Sequence, residues 1–272
     1  MKKKLIRMLI RVAVLTLAVI VVAILHKQVR KEAQERDAAN TPDAAVNARE
    51  GEDWQSASVL RMGDGVTLGR IEANAEGGVR IIVPEEDAGG TETVYTFTDV
   101  APDSWYANAV NFAVSAGLMT GIGDEPVFHP DYGILRESYA LILYRFAHGE
   151  REEPRYRFDD VPEDSWFYEP VCWVTNRRLM PGTANASFGA GKYMTCEEAL
   201  AGLYRLAGAP KTDGSLADYP YASKVSESAR GAVDWAWKMG LITEDECVWY
   251  PPQAISRAQI ALLLMRYSML PG

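Results

Sequence analysis

A chain of 272 residues with 48% apolar content can bury one or two ordinary cores, which sets it apart from disordered or fibrous polymers. The formal charge is −9, and because residues 1–36 hold nine Lys/Arg against two acids, the remainder carries −16, a balance that argues against nucleic acid as a partner. Cys172, Cys196 and Cys247 are odd in number and lack a CxxC pair or neighbouring His, so they form neither a complete disulfide framework nor a zinc site and read as small buried hydrophobes.

The first element, residues 1–30, is a membrane-directed segment. MKKKLIRMLIR is a basic leader, and Val12 to Leu25 runs fourteen residues without a charge. That length suits a signal-peptide core, with Val21-Val22-Ala23 as a cleavage site. The basic flank His26-Lys27 and Arg30-Lys31 suits an uncleaved anchor in which residues 5–25 sit in the membrane. Either way the body faces outward. Residues 31–55 are rich in Ala, Asn, Asp, Glu and Arg and read as a disordered spacer, because they offer too little apolar surface to offset the entropy of ordering. In residues 56–95, Ala57–Met62, Val66–Ile71 and Val79–Val83 read as short strands separated by turns at Gly63-Asp64-Gly65 and Gly77-Gly78. A patch of two or three strands is marginal alone, so it is expected to pack on the repeated units downstream or stay mobile, with Asp87-Ala88-Gly89-Gly90 as a hinge.

Those units show as near-identical phrases about 61 residues apart: Phe97-Thr-Asp-Val leading to Trp105, Phe158-Asp-Asp-Val leading to Trp166, and a fainter third opening at Leu216. The spacing defines three units, 96–150, 155–210 and 214–270. In each, an apolar helical stripe (Trp105, Ala109, Val110, Phe112 and Ala113 in the first) ends near a glycine such as Gly117 or Gly240. A second helix comes next, announced by Phe128, Phe188 or Trp249, with Arg136, Cys196 or Arg257 in its first turn. Two helices cannot close a core alone, whereas three such pairs packed together can.

The order FxDV, Trp, Gly-Leu/Ile, Phe-x-Pro/Gly and a Thr-Arg-Ala-Glu-like helix start resembles the S-layer homology (SLH) domains of bacterial surface proteins, over about residues 96–270. The resemblance implies a mainly α fold, three helical SLH repeats in a pseudo-threefold bundle, here preceded by the hydrophobic segment, the spacer and the β patch. It also implies attachment to the cell envelope, without catalysis or cofactor, by binding a pyruvylated secondary cell-wall polysaccharide carried on peptidoglycan in the grooves between repeats. An Arg in the first turn of a helix stands beside unpaired N–H groups and the positive end of the dipole, a favourable seat for a ketal carboxylate.

Arg136 and Arg257 are therefore the candidate glycan ligands. Gly121, Gly123 and Gly182 are turn residues where backbone could also approach a sugar, and Trp105 and Trp166 are core anchors or sugar platforms. Asp99 and Asp159, with Asp218, are expected to bond turn amides in their own unit, and Asp99 and Asp159 also count among the candidate glycan-binding residues. Arg145, Arg205 and Arg266 read as structural, their heads paired to acids. Thr195/Glu198 and Ser256/Gln259 fit a capping box, whereas Leu135 lacks the capping hydroxyl. Departures from the SLH pattern are Ser138 for the Glu in the first unit, Cys196 for the Arg in the second, and Gln259 for the Glu and Ser228 for the leading Trp in the third. They leave at most two competent grooves, and the alternative reading is a degenerate bundle acting as a structural or protein-docking envelope module. A glycosidase is disfavoured because the acids recur in equivalent places, whereas a catalytic pair needs unlike environments. His26, His129 and His148 share no spacing suited to a metal or a nucleophile.

Overall fold

The computed structural model describes residues 54–57, 68–74, 76–84, 91–184 and 186–270. The membrane-directed segment, nearly all of the expected spacer and the Asp87–Gly90 hinge lie outside the described residues. Among the described residues, no helix is long and apolar enough to cross a membrane.

Four short strands, β1 (Trp54–Ala57), β2 (Arg70–Asn74), β3 (Val79–Pro84) and β4 (Glu92–Phe97), form an antiparallel sheet in the order β1-β2-β3-β4. The Gly77-Gly78 turn joins β2 to β3 as expected: Gly77 has φ +89, and the Asn74 carboxamide accepts the Gly78 N–H at 2.8 Å. β4 is not among the strands expected from sequence, because its last residue, Phe97, reads as the opening of the first repeat. Its register with β3, Val79 opposite Phe97, carries the sheet directly into that repeat.

The sheet packs on the bundle and does not stand apart from it. Leu68, Ile71, Val79, Ile81 and Phe97 belong to the same buried cluster as the first helix. A polar clasp adds direction to this apolar contact. Asn111, buried in helix α1 (Ala107–Ser115), donates to the Gly69 carbonyl at 2.9 Å, and Ser115 Oγ accepts the Gly69 N–H at 2.8 Å while donating to Asn111 at 2.9 Å. Position 69 must be glycine, since a Cβ there would lie 2.9 Å from both the Ile82 carbonyl oxygen and the Ile81 side chain.

The repeats supply α1, α2 (Arg136–Phe146), α3 (Tyr168–Asn176), α4 (Cys196–Leu206), α5 (Arg230–Lys238) and α6 (Arg257–Ser268). Within a unit the two helices are not partners. α3 packs on α2, α5 on α4 and α1 on α6, so the first helix of each unit leans on the second helix of the preceding one and the third unit closes on the first. This cyclic exchange explains why one unit cannot close a core.

The axis of the ring is held by backbone. Ile134 N–H donates to the Ile255 carbonyl (3.0 Å), Ile255 to Met194 (2.9 Å) and Met194 to Ile134 (2.8 Å). One step further on, the first N–H of each second helix is satisfied across a unit boundary: Arg136 to Lys192, Cys196 to Gln253 and Arg257 to Tyr132, at 2.8–2.9 Å. The expected capping boxes at Thr195 and Ser256 are present, and α2 has no side-chain cap at Leu135. The first helices end at Gly117 and Gly240 in the left-handed conformation, and Arg178 takes the equivalent place in the second unit at φ +59.

The clasp can be tested directly. Asn111→Ala leaves the Gly69 carbonyl without its donor and is expected to lower stability by about 1–3 kcal/mol in urea denaturation, with amide exchange rising first in β2 and β3.

Candidate functional site

Where neighbouring units meet, the second helix of one packs against the first helix of the next, and a groove opens along the seam. At the junction of the second and third units lies a groove of about 360 Å³ to which all three units contribute. Its floor is Leu179, Met180 and Pro181. One wall is the α4 stripe Glu198, Ala201 and Arg205, and the other is the loop Ser226–Ala229 before α5. Arg136 enters from the first unit, and Gly182 and Thr183 complete the rim.

Arg136 is only 4% exposed and already engaged. Nε donates to the Phe188 carbonyl at 3.0 Å, Nη2 to the Pro181 carbonyl at 2.8 Å, and Nη1 to Glu198 Oε1 at 3.1 Å, with Met194 Sδ at 3.6 Å. Burial is the main influence on its pKa and lowers it, against the nearby carboxylates of Glu198, Glu137 and Asp160. Glu198 reaches it from the N3 position of α4, where its other oxygen accepts the Thr195 N–H at 3.0 Å.

Arg257 is the symmetry mate of Arg136 and is 1% exposed. It donates to the Phe128 carbonyl at 2.8 Å and to the Thr120 carbonyl, with its guanidinium 4.5 Å from the centre of the Phe128 ring. Both arginines thus tie a second helix to the turn of the following unit in the ring. Cys196 occupies the third such position and is buried there, its thiol pushed up to about 12 chiefly by desolvation. At that seam the Trp249 carbonyl, equivalent to those of Phe128 and Phe188, accepts the Tyr219 hydroxyl instead.

The other sequence candidates separate by role. Asp99 accepts the N–H groups of Phe128 and His129 at 2.7 and 2.6 Å, the expected tie of the opening to its own turn. In the second unit this work falls to Asp160 rather than Asp159: Asp160 accepts from the N–H groups of Phe188, Gly189 and Ala190 and from the Ser187 hydroxyl, whereas Asp159 is exposed and only its backbone joins the turn, at Ala186. In the FxDV pattern the Asp precedes Val, and the doubled Asp159-Asp160 obscures the register. Asp218 is also exposed, and Tyr219 makes the corresponding tie.

Gly121 and Gly182 sit where a Cβ would meet the carbonyl oxygens of Val127 (3.0 Å) and Ser187 (2.7 Å), and Gly123 has φ +74, so each is demanded by its own turn. Of these three only Gly182 reaches the groove. Trp105 and Trp166 are half-buried, packed on the core and edge-on to Tyr106 and Phe167. Trp166 lines a hollow of about 650 Å³ at the junction of the first and second units. That hollow holds Glu152, Glu153, Glu163, Asp164 and Glu169 against Arg151 and Arg157, and Arg257 does not reach it.

Arg145, Arg205 and Arg266 bind the carbonyls that end the first helix of their own unit, those of Leu118, Leu179 and Leu241. The expected acid partner is present for Arg266, which pairs with Glu246. Sequence reasoning missed the part of Glu198, Ala201 and Arg205 in the groove. Their spacing of three and four residues is the signal that would have grouped them.

Two substitutions test these roles. Arg257→Ala orphans buried carbonyls and is expected to lower stability by about 3 kcal/mol or more, seen as a fall in the thermal midpoint. For Asp160, burial would raise the pKa, but the three N–H groups and the Ser187 hydroxyl outweigh it and hold the carboxyl below its ordinary value. A depressed folded pKa gives stability that is full above the unfolded pKa of about 4 and is lost as pH falls through the folded value. The stability gap between wild type and Asp160→Asn should therefore be widest near neutrality and shrink below about pH 4, as read from thermal midpoints at a series of pH values.

The amino-acid sequence is similar to those of known proteins. Residues 96–140 and 157–200, within the first and second units, match the model of the S-layer homology domain. Cell surface glycoprotein 1 of Acetivibrio thermocellus is 24% identical over 172 residues, covering 59% of this chain and 7% of the relative. Cell surface protein of Thermoanaerobacter kivui is 26% identical over 136 residues, covering 48% and 17% respectively. The surface-layer 125 kDa protein of Lysinibacillus sphaericus is 29% identical over 147 residues, covering 53% and 12%. The chain thus spans at most 17% of the length of these curated relatives.

Proposed function

We propose that the bundle holds this protein at the bacterial cell surface by non-covalent binding of an anionic, pyruvylated secondary cell-wall polysaccharide in a groove between units. The match of two units to the S-layer homology domain and the surface proteins among the relatives support a location in the cell envelope and an anchoring rather than catalytic role. The groove between the second and third units carries the finer reading. It is the seam where three units converge, with guanidinium groups in its wall and exposed hydroxyls on its lip. The hollow beside Trp166, with five carboxylates against two arginines, repels the same ligand. One groove then does the binding, in place of the two expected around Arg136 and Arg257.

Purified protein should sediment with cell walls that keep their polymer and stay in solution with walls stripped of it by mild acid. Equal sedimentation with both would overturn the glycan reading in favour of a docking or structural module. Alanine at Arg136 or Arg257 is a poor probe of binding, because both residues hold units together.

A further inference from the structure

Within this groove one cation remains available. We infer that Arg205, rather than Arg136, takes the ligand's negative charge, with the hydroxyls of Ser226 and Ser228 on the same groove; this rests on the anchoring reading above.

A guanidinium has five N–H donors. In Arg136 they meet two carbonyls, a thioether and the Glu198 carboxylate, and the side chain is buried. A ligand would have to displace Glu198, whose second oxygen is fixed by the helix cap. Arg205 is half-buried, donates once, from Nη1 to the Leu179 carbonyl at 2.9 Å, and has no ion pair among the described residues. Its symmetry mate Arg266 is neutralised by Glu246, whereas Arg205 lines the groove between the second and third units.

Geometry makes that charge reachable. Glu198 and Arg205 lie two turns apart on α4, about 10 Å along the axis, and the small Ala201 between them leaves room for a sugar ring. Opposite, Ser226 and Ser228 are exposed, with hydroxyls 3.3 Å apart. Ser228 occupies the place held by Trp105 and Trp166 in the other units, so no indole stands at that position on this seam. Glu197 and Glu198 also face the groove, the former accepting the Ser226 N–H at 2.9 Å. A polyphosphate would set repeated negative charge against these carboxylates, whereas a single carboxylate can sit on Arg205 and keep its neutral face toward them.

Binding of the full chain to polymer-bearing walls, titrated at two salt concentrations, decides the matter. Arg205→Gln should weaken binding about tenfold or more and flatten its salt dependence, and Arg205→Lys should restore part of both. Ser228→Trp, on an exposed loop, should also weaken binding while leaving the thermal midpoint unchanged. Wild-type affinity in both Arg205→Gln and Ser228→Trp would overturn the assignment. So would equal loss in Arg205→Lys and Arg205→Gln accompanied by a fall in thermal midpoint, which would make Arg205 a latch alone. A wild-type chain indifferent to the polymer would instead sink the anchoring reading itself.

Discussion

Three backbone hydrogen bonds around a buried axis, Ile134 to Ile255, Ile255 to Met194 and Met194 to Ile134, fix the relation of every other part. Each residue is a donor to one neighbour and an acceptor from the other, so no pair can form in isolation without leaving a polar group unmatched in an apolar centre. The exchange of helices between units results from this closure. So does the position of the grooves, which open where a second helix turns away from the axis toward the next unit.

Around that frame the units have diverged. Two of the three carry an arginine from the start of a second helix into the neighbouring turn, bonding carbonyls that would otherwise be unsatisfied. At the third seam the short Cys196 leaves this task to Tyr219 and Trp249. A first-turn arginine is well placed by the helix dipole for an anion, yet the same position also faces the carbonyls of the adjoining turn. In this protein the carbonyls have taken it, and burial of the guanidinium commits it to structure. In the second unit Arg205, nine positions after Cys196, bonds the Leu179 carbonyl of its own unit and lines the groove.

The sheet extends the bundle at the first unit. Its hydrophobic face joins the core through α1, and the Asn111, Ser115 and Gly69 clasp fixes its depth and direction. Because Phe97 both ends β4 and opens the first unit, sheet and ring are joined without a linker.

The sequence by itself determined the units, their helices, the capping boxes at Thr195 and Ser256, and the tie from Asp99, because all of these are local: periodicity, spacing and a cap lie within a dozen residues. It also exposed where the repeat is eroded, at Leu135, Cys196, Ser228 and Gln259, since the copies serve as references for one another. It did not reveal β4, whose alternation is cut short by the phrase that opens the repeat, or the choice of Asp160 over Asp159, which depends on which carboxylate the turn meets. Only the tertiary structure decided which helices are partners and which arginines are buried. Arg136 meets acceptors 45 to 62 residues away and Arg257 acceptors 129 and 137 away, and no pattern along the chain records the desolvation and hydrogen bonding that separate a latch from a ligand site.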